Sequence, residues 1–170
     1  MRAVSDQSPP SLPDGVEVLP RGVSLEGVLR FTDVAADALE QAREEVDALN
    51  VYPVPDGDTG TNMFLTIAAA RDAVRRRVAE AGGVEACGVG PGLDALGRGA
   101  LLGARGNSGV ILSEMLRALA KRLGRATPED RAALVMAEGM RMAADAAYAA
   151  VGTPVEGTML TVARAAAEAA

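Results

Sequence analysis

The stretch Asn50-Val51-Tyr52-Pro53-Val54-Pro55-Asp56-Gly57-Asp58-Thr59-Gly60-Thr61-Asn62 decides how the chain folds. Pro53 and Pro55 each push the residue before them into extended backbone, so no helix runs through the segment. Asp56 to Gly60 then reads as a tight turn, since glycine adopts backbone angles that other residues avoid and aspartate bonds to nearby backbone. The pattern on both sides is helical. Upstream, Ser24 is placed to cap a helix that runs to about Leu49, with Leu25, Val28, Leu29, Val34, Leu39, Val46 and Leu49 among its apolar positions. Asn50 ends it. Downstream, a second helix is expected from near Thr61 to about Ala81. The segment is thus a sharp joint between two long helices.

Composition supports the same reading. About a fifth of the 170 residues are alanine, while aromatic residues make up 2%. Alanine is the best helix former, and the aromatic and β-branched residues that favour strands are sparse. We therefore expect an all-α domain with close helix packing. Residues 1–22, with four prolines, read as a flexible N-terminal tail, and residues 23–170 as one domain.

Further along, Gly82, Gly83, Gly88, Gly90, Pro91 and Gly92 are expected to break the chain, and a short helix follows over about 93–102. A second glycine loop spans Gly103 to Gly109. Val110 to Leu123 has the pattern of an amphipathic helix that Gly124 stops. Thr127, with Pro128 next and Asp130 three residues on, reads as the start of a helix reaching about Val151. Gly152 and Pro154 mark a turn. The last helix opens at Gly157-Thr158-Met159 and is still running at Ala170. No run of 18 apolar residues suggests a membrane span. Asp6, Pro9, Pro10 and Pro13 stand where a signal peptide needs an apolar stretch, so a reduced, cytoplasmic setting is expected.

Absences narrow the chemistry. The chain has no histidine, so a Ser-His-Asp triad, an imidazole base and a histidine-bound metal are excluded. A single cysteine, Cys87, allows neither an intrachain disulfide nor a cysteine zinc cluster. A net charge of −6 and so few aromatic residues argue against a nucleic-acid partner. The methionines Met115, Met136, Met140 and Met142 read as core residues, Cys87 as incidental, and Arg75-Arg76-Arg77 as a solvated helix face. Phosphate chemistry here would rest on carboxylates, backbone amides, hydroxyls, arginines and a metal ion.

Three loop-to-helix junctions have the composition for it. Each sets glycines and hydroxyl or amide side chains at a helix start, where unpaired N–H groups and the positive end of the helix dipole attract phosphate. At the first, Asp56 and Asp58 can converge on one hard cation. Mg²⁺ takes one or two carboxylates together with phosphate oxygens and water. A solvated Asx turn has the same composition, so both readings stand. An EF-hand is excluded, because Thr61 falls where its sixth-position glycine belongs and Ile67 where its twelfth-position glutamate belongs. The second loop, Gly103-Ala104-Arg105-Gly106-Asn107-Ser108-Gly109, lacks the Gly-Lys-Ser/Thr of a Walker A loop. Its backbone can approach a ligand closely and Arg105 can neutralise charge, although a helix cap beside a surface arginine explains it equally well. The third, Gly157-Thr158-Met159, is on its own a plausible N-cap.

Taken in order, residues 49–63, Gly103 to Ser113 and Glu156 to Val162 resemble the nucleotide-binding L domain of dihydroxyacetone (glycerone) kinases. They resemble more closely the N-terminal kinase domain of bacterial fatty acid kinases. The resemblance covers about residues 24–170. It implies an antiparallel helical barrel with ATP or ADP phosphates at one end, bridged to protein by a pair of Mg²⁺ ions. Asp56 and Asp58 match the metal-binding aspartates. Asn50 falls near a third metal-binding carboxylate of the dihydroxyacetone branch. Thr59, Gly60, Thr61, Asn62, Arg105, Gly106, Asn107, Ser108 and Gly109 match the phosphate path, and Gly157, Thr158 and Met159 the loop beside the nucleoside. No residue is marked as a catalytic acid or base. Phosphoryl transfer needs alignment and charge neutralisation more than covalent help.

In the fatty acid branch the acceptor carboxylate is presented by a separate lipid-carrying protein, which would be the partner here. Against the family barrel the chain is expected to be C-terminally incomplete by a further helix or two, and to be completed by a partner or by self-association as a homodimer. Alternatives are a dihydroxyacetone kinase subunit and a nucleotide-binding interaction fragment without catalysis.

Overall fold

The structure is a computed structural model that describes residues 23–51 and 55–170. The expected tail at 1–22 and the extended step at Pro53 lie outside the described residues. Among the described residues there are seven helices and no strand: α1 (Leu25–Leu49), α2 (Thr59–Ala81), α3 (Val84–Cys87), α4 (Val89–Gly103), α5 (Gly106–Leu123), α6 (Ala132–Ala149) and α7 (Met159–Ala169). The all-α expectation holds.

The Ser24 side chain caps α1 by accepting the Gly27 N–H at 3.1 Å, and Asn50 closes its other end. The buried stripe of α1 is Leu25, Val28, Thr32 and Ala36. Val34, expected in the apolar set, is 60% exposed, because a residue two places from both Thr32 and Ala36 falls on the far side of the helix. Leu49 is 71% exposed. The buried stripe thus includes the small Thr32 and Ala36, while two of the larger residues face out.

α2 begins at Thr59, slightly ahead of the expected Thr61, and ends on Gly82 in the left-handed conformation (φ 87°). In the glycine-rich segment after it, Gly82, Gly83 and Gly88 do interrupt the helices, but Gly90, Pro91 and Gly92 lie inside α4. The segment holds the single turn α3 and the start of α4. Pro91 is tolerated because it lies in the first turn of α4, where its missing N–H has no helical acceptor. α5 likewise starts at Gly106, within the loop expected to precede it.

α6 starts at Ala132, not at Thr127. Asp130 accepts the Thr127 N–H at 2.9 Å while its own N–H donates to Thr127 O at 3.1 Å. These bonds close a separate turn before the helix.

α2 lies at the centre, packed against α1, α3, α4 and α5. α5 continues the layer to α6, and α6 to α7. Glycines allow the close approaches. A Cβ on Gly99 would overlap Ala73, and one on Gly103 would overlap Ala69. Leu25, Ile67, Val74, Leu96 and Val135 are fully buried, together with Thr32, Thr66 and Ser113. Those hydroxyls donate to carbonyls of their own helices at 2.7–2.8 Å, so none is buried unsatisfied. Cys87 is buried, but Met136 is 43% exposed and is not core. Arg75 is not merely solvated: it pairs with Asp33 of α1 at 2.6 Å. Among the described residues no helix is long and apolar enough to cross a membrane.

Candidate functional site

Two helix N-termini meet at the candidate site. The first belongs to α2 and rests on the last turns of α1. Gly60 makes this possible: a Cβ there would overlap Arg43 O and press on the Val46 side chain. The approach brings Asp47 of α1 within reach of α2. Its Oδ1 accepts the Thr61 N–H at 3.1 Å, and its Oδ2 accepts the Thr61 hydroxyl at 2.7 Å. Burial pushes the Asp47 carboxyl up. The bonds from Thr61 and Gly60, with Arg43 nearby, outweigh that and hold its pKa below the ordinary carboxylate value. Asp47 O accepts the Asn50 N–H at 3.2 Å, and Asn50 Nδ2 donates to Asp56 Oδ1 at 2.5 Å. Asp58 is the N-cap residue of α2, yet its carboxylate makes no cap bond.

The second N-terminus is that of α5. Arg105, its N-cap residue, provides no side-chain cap. The first helical bond is Gly109 N–H to Arg105 O at 2.9 Å, so the amides of Gly106, Asn107 and Ser108 before it lack a helical acceptor. α2 packs directly alongside. A Cβ on Gly109 would press on Thr66 Oγ1 at 2.5 Å, and the Ser108 hydroxyl donates to Thr59 O at 3.4 Å. Gly106 has φ 55°, and a Cβ there would overlap the Asn62 amide. Asn62 is 7% exposed and its Nδ2 has no hydrogen-bond partner. The Arg105 guanidinium donates to Gly103 O at 3.3 Å and Ala104 O at 3.0 Å, covering the C-terminus of α4.

The third expected segment stands apart. The Thr158 hydroxyl accepts the Leu160 N–H at 3.3 Å as the cap of α7 and donates to Val155 O at 2.9 Å. Glu156 gathers the Tyr148 hydroxyl (3.1 Å), the Thr161 hydroxyl (2.6 Å) and Arg164 (3.4 Å). Arg164 also lies over the Tyr148 ring at 3.7 Å, and Gly157 N–H donates to Thr161 Oγ1 at 2.9 Å. The bonds from Thr161 and Tyr148 hold the Glu156 carboxyl below its ordinary pKa. Desolvation and the bond to Glu156 push Tyr148 up. Among the described residues no hydrogen bond or ion pair links Gly157, Thr158 or Met159 to the α2–α5 junction.

The family model described as the DAK2 domain matches residues 53–170, more than half of the chain. This chain belongs to the DAK2 domain family. That family is associated with kinase function. The DAK2 domain is 47% identical to an uncharacterized protein of Staphylococcus saprophyticus over 135 residues. Uncharacterized proteins of Staphylococcus haemolyticus and Staphylococcus aureus match over the same length at 45% and 43%. In each case the matched stretch is 79% of this chain and 23% of the relative, so the chain spans about a quarter of the relatives' length.

The donors of the DAK2 domain suit a cation that takes most of its oxygens from elsewhere. Among the described residues no group of three or more carboxylates or thiols is gathered. Asp56 and Asp58 supply two carboxylates, and Asn50, through its amide, holds Asp56. Mg²⁺, with phosphate oxygens and water completing its shell, fits that set. The uncapped amides of α5 and the orphaned Asn62 Nδ2 fit the phosphate that would come with it.

Sequence reasoning missed Asp47, which no local pattern marks, since its partner lies 14 positions away. It also missed the role of Glu156. That residue stood in the quoted motif, but Tyr148 and Arg164, which complete the cluster, lie eight residues to either side.

Proposed function

We propose that this DAK2 domain binds ATP with Mg²⁺ at the α2–α5 junction and transfers the terminal phosphoryl group to the carboxylate of a fatty acid held by a separate lipid-carrying protein. One observation carries the phosphate assignment: the buried, unpartnered Asn62 Nδ2 facing Gly106 at the uncapped start of α5. A buried donor left unpaired costs about 1–3 kcal/mol, so a structure retains one where a ligand supplies the acceptor. Phosphate oxygens are such acceptors, and the free amides of Gly106, Asn107 and Ser108 are aimed by the same helix end.

When bound, Mg²⁺ would sit on Asp56 and Asp58 and neutralise charge on the phosphates. The chain's own residues do the remainder. The α5 amides and Asn62 hold the phosphates in line, and Asn50 keeps Asp56 in place. The acceptor carboxylate oxygen bonds to the terminal phosphorus as the bridging P–O bond breaks, and the electron pair leaves with ADP. The products are ADP and an acyl phosphate, and no proton has to be removed from the acceptor. A carboxylate acceptor therefore suits a domain without histidine. The fatty acid branch is favoured by the Pro53-Val54-Pro55 run and by Asn50, which stands near a carboxylate position of the dihydroxyacetone branch.

Calorimetric titration of Mg·ATP tests the site. Asn62→Leu, and Asp56→Ala with Asp58→Ala, are each expected to weaken binding about tenfold or more. Unchanged affinity in both overturns the reading. ³¹P spectra of turnover with a loaded lipid carrier should show an acyl phosphate. Transfer to dihydroxyacetone and none to the carried fatty acid would return the chain to the dihydroxyacetone branch.

A further inference from the structure

We infer that Asp47 is a positioning residue: by taking over the cap of α2 from α1, it leaves the Asp58 carboxylate free for the cation. The inference rests on the metal-binding reading above. An aspartate at an N-cap ordinarily accepts the N–H of the second or third helical residue, here Gly60 or Thr61. Asp58 occupies that position and makes no such bond. The bond exists, but Asp47 holds it. Asp47 Oδ1 accepts the Thr61 N–H at 3.1 Å and its Oδ2 accepts the Thr61 hydroxyl at 2.7 Å, so both of its oxygens are engaged.

The packing makes this exchange possible. Gly60 lets the first turn of α2 settle against Arg43 and Val46 of α1, which brings residue 47 alongside residue 61. The same residue reaches the other candidate ligand. Asp47 O accepts the Asn50 N–H at 3.2 Å, and Asn50 Nδ2 donates to Asp56 Oδ1 at 2.5 Å. One chain of bonds thus runs from Thr61 through Asp47 and Asn50 to Asp56. It steadies one carboxylate and releases the other from the task its position would give it.

A double-mutant cycle of thermal unfolding, run on the full chain in chelator, measures the exchange without metal or nucleotide. With Asp47 present, Asp58→Ala is expected to leave Tm nearly unchanged. In an Asp47→Ala background Asp58 becomes the cap, and Asp58→Ala is expected to lower Tm by a further ~2–4 °C. An equal effect of Asp58→Ala in both backgrounds overturns the proposal. If Asp47→Ala does not fold, Asp47→Asn, which keeps an acceptor for one of the two Thr61 donors, is expected to show the same coupling at reduced size. No coupling there overturns it too.

The second readout is Mn²⁺ binding in the presence of ADP, followed by electron paramagnetic resonance. Asp47→Ala is expected to weaken it about tenfold or more with helix content preserved. Unchanged Mn²⁺ affinity overturns the link to the cation. A wild-type chain that binds no Mn²⁺ would sink the metal reading itself, while the metal-free cycle still decides the exchange of caps.

Discussion

Gly106 carries two constraints that can be separated by experiment. Its φ of 55° disfavours any side chain, and a Cβ there would overlap the Asn62 amide. Gly82 has the first constraint alone: φ is 87° and a Cβ would meet nothing within 4 Å. Gly82→Ala is therefore expected to cost about 1–2 kcal/mol by denaturant titration, the usual penalty of a left-handed alanine, with nucleotide binding untouched. Gly106→Ala should cost at least as much and also displace Asn62, weakening Mg·ATP severalfold. Nucleotide binding that is wild-type in Gly106→Ala would show that the Asn62 amide is not part of the phosphate path. At this scale the sequence exposed the residues whose type is unusual for their place, such as Asp56, Asp58 and Gly106. It concealed Asp47, an ordinary acidic residue on a helix, whose task depends on how two helices pack. The Arg105 guanidinium bonds carbonyls two residues away or fewer, a local contact that its place in the loop did not foretell.

At the scale of elements, helix ends were legible where one residue closes them and obscure where two local structures compete. Ser24 and Gly124 stand where the sequence puts them. The Thr127–Asp130 pair has a helix-start pattern, yet its bonds close a turn, because the same donors and acceptors serve both. Gly88 does part α3 from α4, but Gly90 and Pro91 lie in the first turn of α4, where neither glycine nor proline forfeits a helical bond. The joint between α6 and α7 depends on Glu156, whose pKa is lowered by the bonds from the Thr161 and Tyr148 hydroxyls. A carboxylate with a depressed folded-state pKa stabilises the fold at pH above its unfolded value, and that contribution is lost as pH falls through the folded value. Amide exchange at Gly157 and Leu160 should therefore lose protection, after correction for intrinsic rates, as pH drops below about 4.5. Glu156→Gln should show low protection with little pH dependence across that range. A variant with the same pH profile as the wild type would remove Glu156 as the anchor of the joint.

For the whole molecule, the alanine and glycine content is what lets α2 sit among four neighbours. The sequence pattern gave the class correctly but misplaced part of the core, since periodicity weights large residues such as Val34 while the buried stripe of α1 runs through Thr32 and Ala36. The crossing of α2 and α4 is close, for a Cβ on Gly99 would overlap Ala73 and come within 3.0 Å of Ala69 O. Because interiors are close-packed, a larger residue there cannot be absorbed locally and has to push the helices apart. Gly99→Val is expected to cost about 1–3 kcal/mol in urea unfolding. Ala73→Gly alone should cost about 0.5–1 kcal/mol, as glycine does inside a helix. Combined, the two should cost clearly less than their sum, because Ala73→Gly removes the atom that the new side chain strikes. Strict additivity would mean that the Ala73 side chain is not what the new side chain strikes. The same α2 presents Asn62 to α5, so Gly99→Val should also weaken Mg·ATP, and Ala73→Gly should recover that affinity along with stability. Recovery of one without the other would separate the packing of the bundle from the geometry of the site.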